Sequence, residues 1–345
     1  MCEPFGFAGS AYGSVPVAVF FCAHRLVPIP FSLQSRYCPC TTRKWMQFCT
    51  GNRVWLRWFE CRKFERNIIG REGSARLIKE LLHPTAAERF FFDNNGYLVL
   101  EDFLSLSHVE ALRAALAKTV AHRRSARYQR EHEPAFAERL EGANTRIFHL
   151  LDEDPLFLYL LDYEPIMAYV RGLFNEMPHL HSTDAFCEVE KSASHGLGWH
   201  IDGIQEGFRH LGWPIPLLQL KVGYYLSDMS EEGQGNLTLV PGSHKALCKP
   251  EPEDLQRAEL FAGAVQVCGR PGTAFLFHNA VWHTPGPWTR AEGRREMLYY
   301  GYEHPWMLAC VEQWRYDRSF LQSLSADQRK FFHGFVFDPP EYRWG

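Results

Sequence analysis

Apolar residues recur along this chain in two periods, and the switch between them marks out its elements. Val109, Leu112, Leu116 and Val120 stand three or four apart, which puts one apolar stripe on a helix. Ser107-His108-Val109-Glu110 supplies its start, with Ser107 as N-cap and Glu110 returning to the cap backbone. Ile166, Val170, Leu173 and Phe174 repeat the stripe over Pro165 to Phe174, and Ser325-Ala326-Asp327-Gln328 opens a third helix that ends at Gly334. Short apolar runs at 217–226, 237–240, 263–267 and 273–277 are broken by Gly, Pro and Asp clusters, with no long helix among them. The pattern predicts a mainly β fold with flanking helices, an antiparallel sandwich or jelly roll. Pro241-Gly242-Ser243-His244 reads as a tight turn at a strand end, with Ser243 and His244 structural.

The start of the chain lacks both periods. Through Arg66 it is rich in Cys, Arg, Trp and Phe and poor in acids. Residues 1–75 are therefore expected to be an extension, disordered or outside the core, and 76–345 the folded domain, although Trp45, Trp55, Trp58 and Phe59 offer surface that would pack.

Composition narrows the class. With 345 residues, 46% hydrophobic and 22% charged, the chain can bury one large core. A net charge of −3 gives no support to nucleic-acid binding. No apolar run approaches a membrane span, and the run from Val15 to Ala23 is short, contains Pro16 and lacks a basic flank before it, so no signal peptide is read there. Cys38, Cys40, Cys49 and Cys61 match no paired C-x-x-C metal framework, and Cys187, Cys248, Cys268 and Cys310 are scattered as reduced, packed thiols would be. A cytoplasmic enzyme is expected.

The chemistry centres on His200-Ile201-Asp202, followed by His283 and Arg294. A histidine and an acid two apart on an extended segment share a face, so a histidine from another strand completes three ligands on one side of a metal and leaves the other side open. Two imidazoles and a carboxylate suit a non-heme Fe(II) oxygenase. His278, at the end of the same apolar strand as His283, is the rival distal ligand, and His108 with Glu110 is absorbed by the helix start.

Gly96-Tyr97-Leu98-Val99-Leu100, Trp199-His200-Ile201-Asp202, Leu239-Val240-Pro241-Gly242-Ser243-His244-Lys245 and the run from Gly272 to His283 resemble, in order, the phytanoyl-CoA dioxygenase family over about residues 85 to 310. The resemblance implies a double-stranded β-helix of the cupin-like type. It also implies Fe(II) as metal, 2-oxoglutarate and O2 as co-substrates, and hydroxylation of an unactivated C–H bond of a small molecule with release of succinate and CO2. His200, Asp202 and His283 match the iron ligands and catalytic centre; Arg294 matches the arginine that holds the distal carboxylate of 2-oxoglutarate. Arg295 is the competitor, since neighbouring strand residues face opposite ways and only one of the two points into the barrel. Trp288, in Gly286-Pro287-Trp288, departs from the asparagine common in the family. The carboxylate at Asp202 argues for oxygen insertion over halogenation, because related halogenases leave that position to a small residue.

His181 is expected near the co-substrate, and His195 and Trp199 beside the site. Phe208, Arg209, His210 and Trp213, in the loop from Gly203 to Pro216, are candidates both for covering the substrate and for packing. Gln219 and Lys221 share one strand face, read as solvent-facing. Two alternatives stand: a cupin-like metalloenzyme that does not use 2-oxoglutarate, and a non-catalytic β-barrel binding module, against which the intact triad argues.

Overall fold

The computed structural model describes residues 46–50, 53–57, 84–133, 138–140, 142–189, 198–203, 208–255, 259–290, 293–307 and 316–332. The chain divides into two compact units, Met1–Arg66 and Asn67–Gly345. In the first, Met46–Thr50 (β1) and Arg53–Arg57 (β2) pair antiparallel, with Met46 opposite Arg57. Strands of five residues are too short to declare a period in the sequence, which is why none is read there. The remaining expectations for residues 1–75 lie outside the described residues.

The second unit opens with helix Ala86–Asn95 (α1), strand Tyr97–Leu100 (β3), helices Leu106–Arg123 (α2) and Ala126–Glu131 (α3), and strand Thr145–Phe148 (β4). Helices Pro155–Leu161 (α4) and Glu164–Phe174 (α5) lead to the long strand His179–Glu188 (β5). Then follow Gln219–Tyr225 (β6), Leu237–Leu239 (β7), the short helix Pro252–Leu255 (α6), Val265–Gln266 (β8), Ala274–His278 (β9), His283–Pro285 (β10) and Arg295–Glu303 (β11). Arg318–Ser323 (α7) and Ala326–Arg329 (α8) close the described chain.

Two antiparallel sheets face each other. One has the order β3-β9-β6-β11-β5-β4 and the other β10-β7-β8. His200 extends the second sheet by bridging to His283 with a reciprocal pair of backbone hydrogen bonds of 3.0 and 2.9 Å. The two-residue period divides the strands between two cores. Phe186, Tyr225, Phe275, Phe277 and Met297 of the large sheet meet Leu237 and Leu239 of the small one, forming the barrel interior. Leu298, Tyr300, Tyr302, Leu220, Val222 and Tyr224 turn the other way, onto Leu112, Leu116, Phe157, Ile166 and Val170 of the helices. The Tyr300 and Tyr302 hydroxyls donate to the Phe157 and Leu161 carbonyls at 2.8 and 3.0 Å, tying sheet to helix. Because both strand faces are buried, the sequence shows apolar runs instead of clean alternation. This is the jelly roll that the pattern predicts.

One helix start differs from expectation. The N-cap of α2 is Ser105, whose hydroxyl accepts from the His108 backbone N–H at 3.3 Å; Ser107 lies inside the helix. The Phe103 and Leu104 amides are held on the Gly272 carbonyl at 3.0 and 2.9 Å, and Leu104 is buried, so Ser105 is the last extended residue. The α8 start is as predicted, with Ser325 and Gln328 forming a capping box, but the helix stops at Arg329, well short of the expected Gly334. Among the described residues no helix is long and apolar enough to cross a membrane.

Candidate functional site

Each side chain of the triad is set by a backbone tie. His200 is bridged to His283 as above, and the Asp202 N–H donates to the Asn279 carbonyl at 2.8 Å. Ile201, between them, turns into an apolar cluster with Trp199, Ile215, Ala280 and Trp282, which sends its two neighbours to the other face. Just ahead of His283, the Trp282 N–H donates to Ser243 Oγ at 2.9 Å, and the Trp282 carbonyl accepts from Val240 at 2.9 Å. The turn at Ser243 thus holds the distal histidine in place. Gly96 caps α1 at φ 79°, and a Cβ there would collide with Val281 and approach His244 Nδ1 to 2.7 Å, so only glycine lets β3 start against this segment.

Ligand atoms of His200, Asp202 and His283 all lie within 4.8 Å of one another, close enough to hold one metal ion. Asp202 sits between the rings, 3.9 Å from His200 Nε2 and 3.8 Å from His283 Nε2. Each histidine points its Nδ1 at a carbonyl, His200 to Gly198 at 2.9 Å and His283 to Val281 at 2.9 Å. A carbonyl only accepts, so each Nδ1 carries the proton and each Nε2 keeps a lone pair aimed at the triad centre. Burial pushes the Asp202 carboxyl up, but the charges of Lys221, His283, His200 and His181 outweigh it and bring the pKa to about 2. Burial and then His200 lower His283 to about 4. Both groups stand in the charge states that a divalent metal requires. The donor set fits the iron expected from the sequence.

The rival histidine is elsewhere. His278 packs between Phe92 and His244, and its Nδ1 accepts from the Ala280 N–H at 3.0 Å.

The two arginines separate as strand parity requires, but with the opposite assignment to the expected one. Arg294 lies on the outer face, half exposed, donating from Nε to Glu296 at 2.7 Å beside Cys187. Arg295 is 3% exposed and faces the barrel interior with Met297 and Tyr299. It stacks 4.6 Å from the Phe186 ring centroid and pairs through Nη1 with Glu188 at 2.6 Å, leaving its buried Nε without a partner. The strand starts at Arg295, and that start sets the phase; spacing from His283 does not carry it.

Gln219 and Lys221 also reverse their expected side. Gln219 is fully buried, and Lys221, half-buried, donates to Ser182 Oγ at 3.0 Å on the barrel side of the sheet. On β5 an extra residue breaks the register against β11, where Gly301 pairs with Ser182 and Tyr302 with Leu180. This bulge at His181 brings both His181 and Ser182 to the interior. A Cβ on Gly301 would stand 2.7 Å from Ser182 Oγ, 3.1 Å from Lys221 Nζ and 3.3 Å from His181 Cδ2, so the glycine makes their room. His181 donates to Glu303 Oε2 at 3.0 Å, and Gln219 Nε2 lies 3.3 Å from the same oxygen. Sequence reading missed Glu188 and Glu303; the signal was their two-residue spacing from Phe186 and Gly301, which puts them on the interior face.

Of the loop candidates, Phe208 packs with Leu218 and Met307, and Trp213 joins the Trp199 cluster with Arg209 above its ring at 4.7 Å. Both act as anchors, and His210 is exposed. His195 lies outside the described residues.

The sequence model of the family described as "Phytanoyl-CoA dioxygenase (PhyH)" matches residues 92–295, well over half of the chain and all of the triad. The chain belongs to the phytanoyl-CoA dioxygenase family. Among solved structures it is similar to HygX from Streptomyces hygroscopicus with nickel and 2-oxoglutarate bound, at 21% identity and TM-score 0.51, covering 66% of this chain and 90% of that one. EctD from S. alaskensis with bound Fe is similar at 21% identity and TM-score 0.50, over 65% of this chain and 78% of that one. HygX with nickel, 2-oxoglutarate and hygromycin B matches at 20% identity and TM-score 0.50, over 65% and 89%. At such identities the likeness is one of fold, and it gives this phytanoyl-CoA dioxygenase family member the double-stranded β-helix expected for it. No curated protein sequence matches significantly.

Proposed function

We propose that the protein is an Fe(II)- and 2-oxoglutarate-dependent dioxygenase that hydroxylates an unactivated C–H bond of a small molecule, converting 2-oxoglutarate and O2 to succinate and CO2. The observation that carries this reading is the convergence of two Nε2 atoms and one carboxylate on a single point. In it, His200, Asp202 and His283 hold the iron, which supplies the redox chemistry of dioxygen activation. Arg295, in place of Arg294, receives the distal carboxylate of 2-oxoglutarate. Its guanidinium is buried, always charged, and has an unpartnered Nε, which suits a carboxylate. Glu188 and the Phe186 ring hold that fork in orientation. The Nδ1 ties to Gly198 and Val281 keep the imidazoles in the ligating tautomer, and the apolar interior beneath them excludes water.

The test is anaerobic loading with Fe(II) and 2-oxoglutarate, followed by O2. Metal-dependent binding of 2-oxoglutarate and slow succinate formation are expected, both abolished in His200→Ala. Succinate formation undiminished in that variant, or no metal-dependent 2-oxoglutarate binding by the unaltered protein, overturns the proposal. A cupin-like enzyme without this co-substrate would give the second result.

A further inference from the structure

Besides the triad and the Arg295–Glu188 pair, the interior of the barrel carries one polar wall. Phe186, Tyr225, Phe275, Phe277 and Met297 line its depth, whereas His181, Ser182, Gln219, Lys221 and Glu303 stand together on three adjacent strands. The Asn279 N–H donates to the Gln219 carbonyl at 3.1 Å while its own carbonyl accepts from Asp202 at 2.8 Å, so this wall adjoins the triad.

Two of its members are buried without full satisfaction. Glu303 and Gln219 are both 0% exposed, and in each Oε1 has no hydrogen-bond partner. Glu303 is a carboxylate taken out of water, and its only ion pair among the described residues is with His181. Lys221, one strand position away, gives its hydrogen bond to the neutral Ser182. A half-satisfied polar cluster costs stability that an apolar wall of the same shape would not, so its presence beside the triad calls for a ligand. Both vacant atoms are acceptors. An ammonium carries three donors and a compact charge, and can serve both oxygens while neutralising the carboxylate. An acyl chain or thioester brings no donor and would leave both oxygens bare. A hydroxyl would serve one without balancing the charge.

We propose, on the reading that the triad is the metal centre, that the substrate carries a protonated amine received by Glu303 and Gln219. This goes beyond the reaction type to the class of molecule oxidised.

The experiment uses the full chain loaded with Mn(II) and 2-oxoglutarate and titrated by calorimetry. The probes are cadaverine, glucosamine, L-lysine and 2-deoxystreptamine, each beside its N-acetylated counterpart, with a fatty acyl thioester as contrast. At least one amine should bind, with its acetylated form at least tenfold weaker, and Glu303→Gln should erase that preference. Gln219→Leu, which keeps the carboxylate, should weaken the amine and leave a residual preference. Amines that bind no better than their acetylated forms, or not at all, or a Glu303→Gln variant that retains the preference, overturn the inference. Failure of the unaltered protein to bind 2-oxoglutarate in the first place instead removes the reading of the triad, and the inference with it.

Discussion

Arg294 and Arg295 differ by one position and by a whole barrel wall. The outer one trades hydrogen bonds with Glu296 near solvent; the inner one is held by Glu188 against Phe186. Arg295→Lys keeps the charge that balances Glu188 but loses the planar fork, so the KM for 2-oxoglutarate should rise about tenfold or more, while Arg294→Ala should leave it within about twofold. Steady-state succinate assays check this, and the reverse ranking would return the role to Arg294. His278 gives a second test at this scale. Burial, then the charges of His244 and Lys245, lowers its pKa to about 3, below the usual 6.5. The unfolded chain therefore takes a proton that the fold refuses, so this contribution to stability is intact above pH 6.5 and is lost as pH falls from there toward 3, by at most about 1.4 kcal/mol per pH unit. His278→Asn can still accept from Ala280 but does not titrate. Its unfolding midpoint should fall less steeply with acid than that of the unaltered protein, and parallel curves would show that His278 is not the sensor.

Among the elements, α2 shows how a cap is chosen. Two serines two positions apart are both acceptable to local rules, and the anchorage of Leu104 on Gly272 decides for the earlier one. Ser105→Ala should cost about 1 kcal/mol, the usual worth of an N-cap, and Ser107→Ala only a few tenths, measured by denaturant unfolding. Equal losses would mean that the two hydroxyls, 3.1 Å apart, act as one cap. The bulge on β5 is the other decision at this level. Without its extra residue, His181 and Ser182 would face opposite ways, as alternation demands.

At the scale of the whole molecule, every strand of the two facing sheets and every residue of the triad belongs to the unit Asn67–Gly345. The first unit has its own paired strands. A chain beginning near Leu77 should therefore fold with an unfolding midpoint close to that of the full chain and bind Mn(II) with unchanged stoichiometry. Aggregation or lost metal binding would show that the first unit is part of the enzyme.

The sequence by itself determined the fold class, the helix faces and the H-x-D pair with its distal histidine, because these rest on period, turn chemistry and residue type within short reach. The structure brings His283 within reach of the pair and packs His278 between Phe92 and His244. What the chain could not decide locally was phase: which of two adjacent arginines faces inward, whether Gln219 and Lys221 face solvent or the interior, and where β5 carries its extra residue. Each is a question of which way a strand's two-residue period is turned when it meets its neighbours, and a one-residue shift reverses every side chain. Only the closing of the two sheets over a common interior sets that phase. It turned Arg295 to the barrel interior and made of Gln219, Lys221 and Glu303 a polar wall, where isolated strands offered only alternating letters.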